Sequence, residues 1–196
     1  MLIVDAAKYA WEHSKEMKFG NEQEWNCKTF TSKWIDTKYP DVRQGTTTSG
    51  LYWFQVKNHT ASDFKNLSTP GNQLQNAVDI PRVASDNLEI FTLDNLCAPD
   101  NQKVLTIYNG HEKNVFSRMR SHFSLNNDKT GAIGFEKNAI SYMDLRVRVF
   151  HQGFITNDLS LNDQNHLKTL LTNRRGREAI ESAWRTLYGW PLLCKR

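Results

Sequence analysis

The stretch VLTIYNGHEKNVFSRMRSHF at positions 104–123 decides the fold, because it changes from a strand pattern to a helix pattern within a few residues. Residues 104–108 are apolar and β-branched, which favours a strand. Residues 111–123 then carry apolar side chains at the spacing of one helical face. On that helix Arg118 and His122 stand four residues apart, so they share a face.

The strand that precedes this helix ends at Tyr108, one tight turn before the helix begins. A phenol, the guanidinium of Arg118 and the imidazole of His122 can therefore converge on one pocket. The planar fork of an arginine suits the paired oxygens of a phosphate. The pattern indicates phosphodiester chemistry.

Two further strands are predicted on either side of this unit. GLYWFQV at 50–56 is rich in aromatic and β-branched residues and is bounded by turn formers. DLRVRVF at 144–150 alternates apolar and basic residues, which places Arg146 and Arg148 on one face of the strand. The core is therefore predicted to be a small sheet with helices.

The rest of the chain supplies helices and one long insertion. Residues 2–18 and 22–38 have helix-like apolar spacing, so we expect a helical N-terminal extension over 1–45. Residues 57–102 are polar and interrupted by turn formers, and within them only LEIFTL at 88–93 has a strand pattern.

A last helix is predicted in GREAIESAWRTLY and ends at Gly189 and Pro191. A chain of 196 residues can bury one ordinary core. We therefore expect a single domain over 1–196, with 57–102 inserted between the first two core strands.

Composition limits the class of protein. Lys and Arg number 25 against 21 Asp and Glu, a net charge of +4 that weakly favours a polyanionic partner. The three cysteines have no CxxC spacing, so neither a disulfide framework nor a zinc site is indicated, and a reducing cytoplasm is the expected location. No run of 18 apolar residues occurs, so no membrane partner is expected.

These motifs resemble the GIY-YIG nuclease superfamily. That family has a strand with Gly-Ile-Tyr, a second strand with Tyr-Ile-Gly, then Arg ten residues and often His fourteen residues after the second Tyr. This chain has Gly-Leu-Tyr at 50–52 and Tyr-Asn-Gly at 108–110, with Arg118 at plus ten and His122 at plus fourteen. Each triplet alone is a weak signal, whereas the joint spacing is specific.

The family also has a later helical Glu, followed by Pro and often Asn. Glu181 precedes Pro191 by ten residues, a better match than Glu178 at thirteen. Taken alone, Glu181 also has the spacing of ordinary surface ion pairs with arginines at i−4 and i+4. Two residues depart from the pattern, Asn109, where an apolar residue is usual, and Cys194, where Asn is expected. The two Tyr motifs also stand 56 residues apart, much further than in simple members of the family.

The resemblance implies an α+β fold with a three-stranded antiparallel sheet flanked by helices, and a metal-dependent deoxyribonuclease most similar to the type II restriction endonucleases. Its implied catalytic residues are Tyr52, Tyr108, Arg118, His122 and Glu181. Glu181 would bind Mg²⁺ or Mn²⁺, and Arg118 would hold the scissile phosphate. Tyr52 would act as the base and pass its proton to His122 or, less favourably, to a lysine, while Tyr108 orients the water or the phosphate. We expect all five side chains to line one pocket on one face of the sheet.

The expected partner is double-stranded DNA, cut by a two-fold dimer of the chain. Cations predicted to contact DNA are Lys113, Arg146, Arg148, Arg174 and Arg175. The insertion carries amides suited to base edges, namely Asn58, Asn66, Gln73, Gln75 and Asn76. Two alternatives remain: a repair or homing nuclease of the same superfamily, and a non-catalytic nucleic-acid-binding protein, which would have no need of Glu181.

Overall fold

The computed structural model describes residues 1–20, 30–43, 48–67, 78–123, 132–135 and 143–195. Its strands are β1 (Lys15–Gly20), β2 (Gly50–Lys57), β3 (Val104–Glu112) and β4 (Asp144–His151). Its α-helices are α1 (Ile3–Glu12), α2 (Asp36–Lys38), α3 (Ile80–Ile90), α4 (Val115–Ser121), α5 (Leu161–Thr172) and α6 (Arg174–Tyr188). A π-helical turn (Phe30–Ile35) precedes α2, and 3₁₀ turns lie at Ala61–Asn66, Leu93–Asn95 and Gln152–Phe154.

The four strands of the described residues form one antiparallel sheet in the order β1-β4-β2-β3. The α+β class and the three predicted strands β2, β3 and β4 are confirmed. The expected sheet of three strands was too small, because β1 adds a fourth at the edge beside β4. β3 forms the other edge, so the Tyr-Asn-Gly motif lies on an edge strand.

The extra strand corrects the prediction of a helix over 2–18. α1 ends at Glu12, and the hydroxyl of Ser14 donates to the carbonyl of Trp11 at 2.6 Å. From Lys15 onward the pattern has period two, with Met17 and Phe19 buried between charged residues. Alternation of this kind places every second side chain in a core, which is the requirement of a strand.

The central strand β2 packs against helices on both sides. Trp53 lies 5.3 Å from the ring of Trp11 on α1 and 5.9 Å from that of Trp184 on α6, so we call this side the α6 face. Its neighbour Phe54 contacts the rings of Phe123 and Phe135 on the opposite side, here called the α4 face. Consecutive strand residues point to opposite faces, so both layers are built from adjacent positions of β2.

The insertion contains a helix where a strand was predicted at 88–93. α3 covers Ile80–Ile90, and the IPRV sequence that resembled a breaker is its first turn. The carboxylate of Asp79 accepts the backbone N–H of Arg82 at 3.2 Å, and Pro81 occupies a first-turn position that needs no N–H donor. The strand prediction was therefore wrong, because the start signals of this helix were interpreted as a loop.

α3 also ties the insertion to the end of the chain. The amide of Asn87 donates to the carbonyl oxygens of Leu192 at 2.7 Å and Cys194 at 3.0 Å. One buried apolar cluster includes residues of α1, the sheet, α3 and α6. Among the described residues, no helix is long and apolar enough to cross a membrane.

Arg146 on β4 ties this strand to the edge strand β1. Its guanidinium donates to the carboxylate of Glu16 on β1 at 2.9 Å, and its side chain is only 8% exposed. We expect Arg146→Met to lower the free energy of unfolding by about 2 kcal/mol, because Glu16 loses its partner at a site partly removed from water. Urea denaturation measures this loss.

The double variant Arg146→Met/Glu16→Gln provides the control. It should be more stable than Arg146→Met alone, because Glu16 no longer carries a charge that has lost its partner. Arg146→Met with unchanged stability would contradict a structural role for the pair.

Candidate active site

Four of the predicted side chains lie together on the α4 face. The phenol oxygen of Tyr52 lies 2.8 Å from Nε2 of His122. Arg118 lies near both phenols, where its charge acts to lower the pKa of Tyr52 and of Tyr108, and the ring of Tyr108 lies 4.8 Å from the imidazole. The spacing of Tyr108, Arg118 and His122 and the family resemblance that added Tyr52 predicted that these groups would meet, and the structure brings them together.

The turn between β3 and α4 sets this arrangement. The side chain of Asn114 accepts the N–H of Ser117 at 3.1 Å and so caps the start of α4. Val115, Phe116 and Met119 bury one face of the helix. His122 follows the last turn, and its carbonyl accepts from the N–H groups of residues 134 and 135. The imidazole is thereby held against the sheet.

Burial leaves three of the four groups uncharged near neutral pH. It raises the pKa of Tyr52 well above 10 and that of Tyr108 to about 12, and the neighbouring phenol raises the pKa of Tyr52 further. It lowers the pKa of His122 well below 6.5, and the charge of Arg118 lowers it further. A neutral imidazole has one ring nitrogen that accepts, so the phenol of Tyr52 can donate its proton to Nε2 of His122.

The glycine of the Tyr-Asn-Gly motif makes room for Tyr52. Gly110 is paired with Tyr52 across the sheet, and a Cβ at Gly110 would lie 2.4 Å from the phenol oxygen. Only the absence of a side chain lets the tyrosine ring lie across β3 toward the free edge of the sheet. Glycine is therefore required at position 110 because any side chain there would collide with the phenol of Tyr52.

Glu181 does not share the face of the other four residues, so the expectation of a one-face pocket is wrong for this residue. It lies on α6, where Oε1 forms an ion pair with Arg185 and Oε2 lies 3.5 Å from Nε2 of His111 on β3. Its side chain is 12% exposed. Its charge raises the pKa of both Tyr52 and Tyr108, so it acts on the cluster across the edge strand.

Glu181 also differs from a surface ion-pair residue. Burial raises its pKa to about 7, although Arg185 opposes that rise. Arg177, which stands four residues earlier, does not pair with it but donates to the carbonyl oxygens of Leu171 and Thr172 at the end of α5. The carboxylate is thus held in a poorly solvated position by one arginine.

The two residues that depart from the family pattern, Asn109 and Cys194, contact each other. The thiol of Cys194 lies 3.3 Å from Oδ1 of Asn109, and the same oxygen accepts from Nε of Arg185 at 3.0 Å. The guanidinium of Arg185 also lies 4.5 Å over the ring of Trp190. Asn109 and Cys194 therefore fix the arginine that holds Glu181.

Glu181 fits a hard divalent cation only if most ligands come from elsewhere. Among the described residues, no group of three or more His, Cys, Asp or Glu side chains could hold a metal ion. Mg²⁺ is commonly bound by one or two carboxylates, with water and substrate phosphates completing its shell. A single poorly solvated carboxylate at the sheet edge satisfies that requirement.

The five predicted DNA contacts fall into two groups. Arg146 and Arg148 lie on the α6 face, where Arg146 pairs with Glu16 and Arg148 stacks 4.5 Å over Trp11. Both side chains pack within the protein, so neither is placed to contact DNA. The remaining three lie at the surface, namely Lys113, Arg174 and Arg175.

The sequence analysis did not single out His111 and Arg185 as site residues. Both were identifiable in principle. His111 directly follows the Tyr-Asn-Gly motif, and strand alternation places it on the same face as Asn109. Arg185 stands four residues after Glu181, and the sequence alone could not show whether that pair was buried or exposed.

Comparison of the chain with protein-family models, curated proteins and solved structures gives no match.

The contact at Gly110 predicts a loss of activity on the smallest substitution. In Gly110→Ala the new methyl group must displace the ring of Tyr52, which separates its oxygen from His122. We expect the free energy of unfolding to fall by about 1–3 kcal/mol, and the DNA cleavage that the sequence resemblance implies should fall by at least tenfold. Activity assays and urea denaturation measure the two effects.

Tyr52→Phe in the Gly110→Ala background tests the cause. Removing the phenol oxygen removes the closest contact, so the double variant should regain part of the stability and none of the activity. A fully active Gly110→Ala protein would show that the tyrosine can move without consequence.

The buried imidazole of His122 predicts an acid-sensitive stability. Its folded pKa lies below its unfolded value of about 6.5, so its contribution is complete above that pH and is lost as the pH falls below it. Between pH 7.5 and 5.5 we expect the stability advantage of the wild type over His122→Gln to shrink by roughly 1 kcal/mol. Opposite effects from Glu181 are shared by both proteins and cancel.

Urea denaturation of both proteins at the two pH values measures this difference. An advantage that does not change with pH would show that the imidazole takes up a proton in the folded state as readily as in the unfolded chain.

Proposed function

We propose that this chain is a sequence-specific double-stranded DNA endonuclease of the GIY-YIG type, most similar to type II restriction enzymes. The observation that carries the proposal is the convergence of Tyr52, Tyr108 and His122 beside Arg118, with the phenol oxygen of Tyr52 2.8 Å from Nε2 of His122 and the ring of Tyr108 4.8 Å from the imidazole. These four positions match the residues and spacing of the family pattern. Their convergence is what the family pattern requires.

Arg118 holds the scissile phosphate in this mechanism. A guanidinium has five N–H donors, so two phenol contacts leave donors for phosphate oxygens. It is the charged member of a cluster whose other groups are neutral, and it is partly buried, where its attraction for an anion is weakly screened. Tyr108 keeps its proton and can donate it to the attacking water or to the phosphate.

Tyr52 acts as a relay instead of a free phenolate. Its raised pKa keeps it protonated, so it accepts a proton from the attacking water only as it passes its own to His122. His122 is available to receive that proton because its lowered pKa keeps the imidazole neutral and its Nε2 already faces the phenol. The transfer leaves hydroxide character on the water and a proton on the imidazole.

Glu181 supplies the metal ligand in this proposal. A bound Mg²⁺ or Mn²⁺ would provide charge stabilisation for the phosphoryl and leaving oxygens. The carboxylate is oriented by Arg185 and lies close enough to the cluster to affect both tyrosines. Its pKa of about 7 means that it must lose a proton to bind a cation.

DNA binding would use the exposed cations and the inserted segment. Lys113, Arg174 and Arg175 provide salt-dependent contacts to phosphates. Asn58 and Asn66 of the insertion are exposed, whereas the other amides proposed for base recognition, at 73, 75 and 76, lie outside the described residues. Cutting both strands at one site is most simply achieved by two copies of the chain related by a two-fold axis.

The decisive experiment separates an enzyme from a silent binding protein. Phage DNA is incubated with the protein and Mg²⁺ or Mn²⁺. Discrete bands indicate a site-specific endonuclease, and nicking without discrete bands favours a repair nuclease. Binding without any strand cleavage in either metal would contradict the proposal and favour a non-catalytic DNA-binding protein.

Glu181→Ala should separate cleavage from binding. We expect strand cleavage to fall by roughly 10³-fold or more, because charge stabilisation by a metal is worth several kcal/mol. Duplex binding in Ca²⁺ should change little, since the cations that contact phosphates are elsewhere. Plasmid nicking and a filter-binding assay measure these effects.

Glu178→Ala is the matched control on the same helix. Glu178 is more exposed than Glu181 and pairs with Arg174 at 2.8 Å. Its removal should leave cleavage largely intact. If Glu178→Ala is inactive and Glu181→Ala is active, the metal is held by the other carboxylate.

A further inference from the structure

The pair formed by His111 and Glu181 has an arrangement that ordinary hydrogen bonding does not explain. Nε2 of His111 and Oε2 of Glu181 are 3.5 Å apart, which is beyond the usual 2.7–3.2 Å range of an N–H···O bond. Nδ1 of His111 is buried and has no hydrogen-bond partner among the residues that the structure describes. The ring is nevertheless held with Nε2 directed at the carboxylate.

The separation of the two atoms suits a shared cation. Two ligands that each lie about 2.1 Å from one ion are roughly 3.0 Å apart at a right angle and about 3.4 Å apart at the tetrahedral angle. The observed 3.5 Å therefore requires only a small closure of the pair. Their side chains are 17% and 12% exposed, so an ion can reach them while most of the surroundings exclude water.

The neighbouring contacts hold this geometry in place. Asn109 and His111 are two residues apart on β3, and Arg185 and Glu181 are four residues apart on α6. Two strand positions advance by about 6.7 Å and one helical turn by about 5.4 Å, so the pairs 109–185 and 111–181 can form together. Arg185 occupies Oε1 of Glu181 and leaves Oε2 toward His111.

We propose that His111 is a second metal ligand and that it binds one divalent ion together with Glu181. An imidazole and a carboxylate favour first-row transition ions over Mg²⁺, and Mn²⁺ accepts both ligand types. Water and phosphate oxygens complete the coordination shell. The inference rests on the proposed function for its purpose, whereas ion binding itself can be measured without DNA.

The experiment uses the full chain and Mn²⁺ as the probe. Titration calorimetry and the loss of the free-Mn²⁺ electron paramagnetic resonance signal give the affinity, with Mg²⁺ competition as the comparison. We expect wild type to bind Mn²⁺ at least tenfold more tightly than Mg²⁺. His111→Ala should weaken Mn²⁺ binding by roughly tenfold or more while Mg²⁺ binding changes little, and Glu181→Ala should weaken both.

A second histidine-carboxylate pair provides a matched control. His13 and Asp158 have the same 3.5 Å separation, but Nδ1 of His13 lies 3.0 Å from the carbonyl of Tyr9 and its partner carboxylate is 56% exposed. His13→Ala should leave Mn²⁺ binding unchanged. A wild-type protein without preference for Mn²⁺, or an unaltered affinity in His111→Ala, overturns the proposal.

Two measurements keep the test decisive. If His111→Ala fails to fold, paramagnetic broadening of the wild-type histidine NMR signals replaces it. Substoichiometric Mn²⁺ should broaden His111 before His13 and His59, and equal broadening contradicts the site. DNA cleavage is assayed in parallel, so tight Mn²⁺ binding without cleavage rejects the nuclease alone, and cleavage with unchanged metal affinity in the variant rejects the second ligand alone.

Discussion

The alternation of β2 is the constraint on which the remaining structure depends. Tyr52, Trp53 and Phe54 are all buried to within 1% of full burial, although consecutive strand residues point to opposite faces. The strand therefore needs a helical layer on each side. α1 and α6 cover Trp53, while α4 and the segment at Phe135 cover Phe54. Both halves of the candidate site are anchored to this one strand.

Sequence spacing predicted the elements that have strong local signals. These elements are β2, β3, β4 and α6. Their signals are aromatic alternation, helical periodicity and the stop at Gly189, each of which depends only on residues that are close together in the sequence. The prediction failed at β1, because the helix was extended to residue 18, and at α3, because the start signal at Asp79 was overlooked. α5 was not predicted at all, and its apolar face is narrow, with Leu167 and Leu171 as its buried residues.

The candidate site divides in the same way. Tyr108, Arg118 and His122 were predictable because one strand and the following helix fix their relative positions. The face occupied by Glu181 was not predictable, because it depends on how α6 packs against α1 and β3. Glu181 stands about seventy residues after β3, so local spacing does not fix their relative position. The roles of Asn109 and Cys194 were equally hidden. Each looked like a departure from a pattern until the contact between them was visible.

The edge position of β3 explains how groups on two faces can serve one reaction. If β3 were an interior strand, a further strand on its outer side would separate the two faces of the sheet there. Because β3 is an edge strand, its outer side is open. Part of that edge is already occupied, since the N–H of Leu193 donates to the carbonyl of Ile107 at 2.7 Å and Cys194 lies against Asn109. The open part begins at Gly110, where no side chain stands between the phenol and the edge.

Because burial keeps Tyr52, Tyr108 and His122 neutral, the charge of Arg118 on the α4 face is not cancelled by those three groups. The Glu181 carboxylate is already paired with Arg185 on the other face. An anion such as a phosphate would therefore be attracted to the α4 side of the edge, whereas a cation on the α6 side would have to share the Glu181 carboxylate with Arg185.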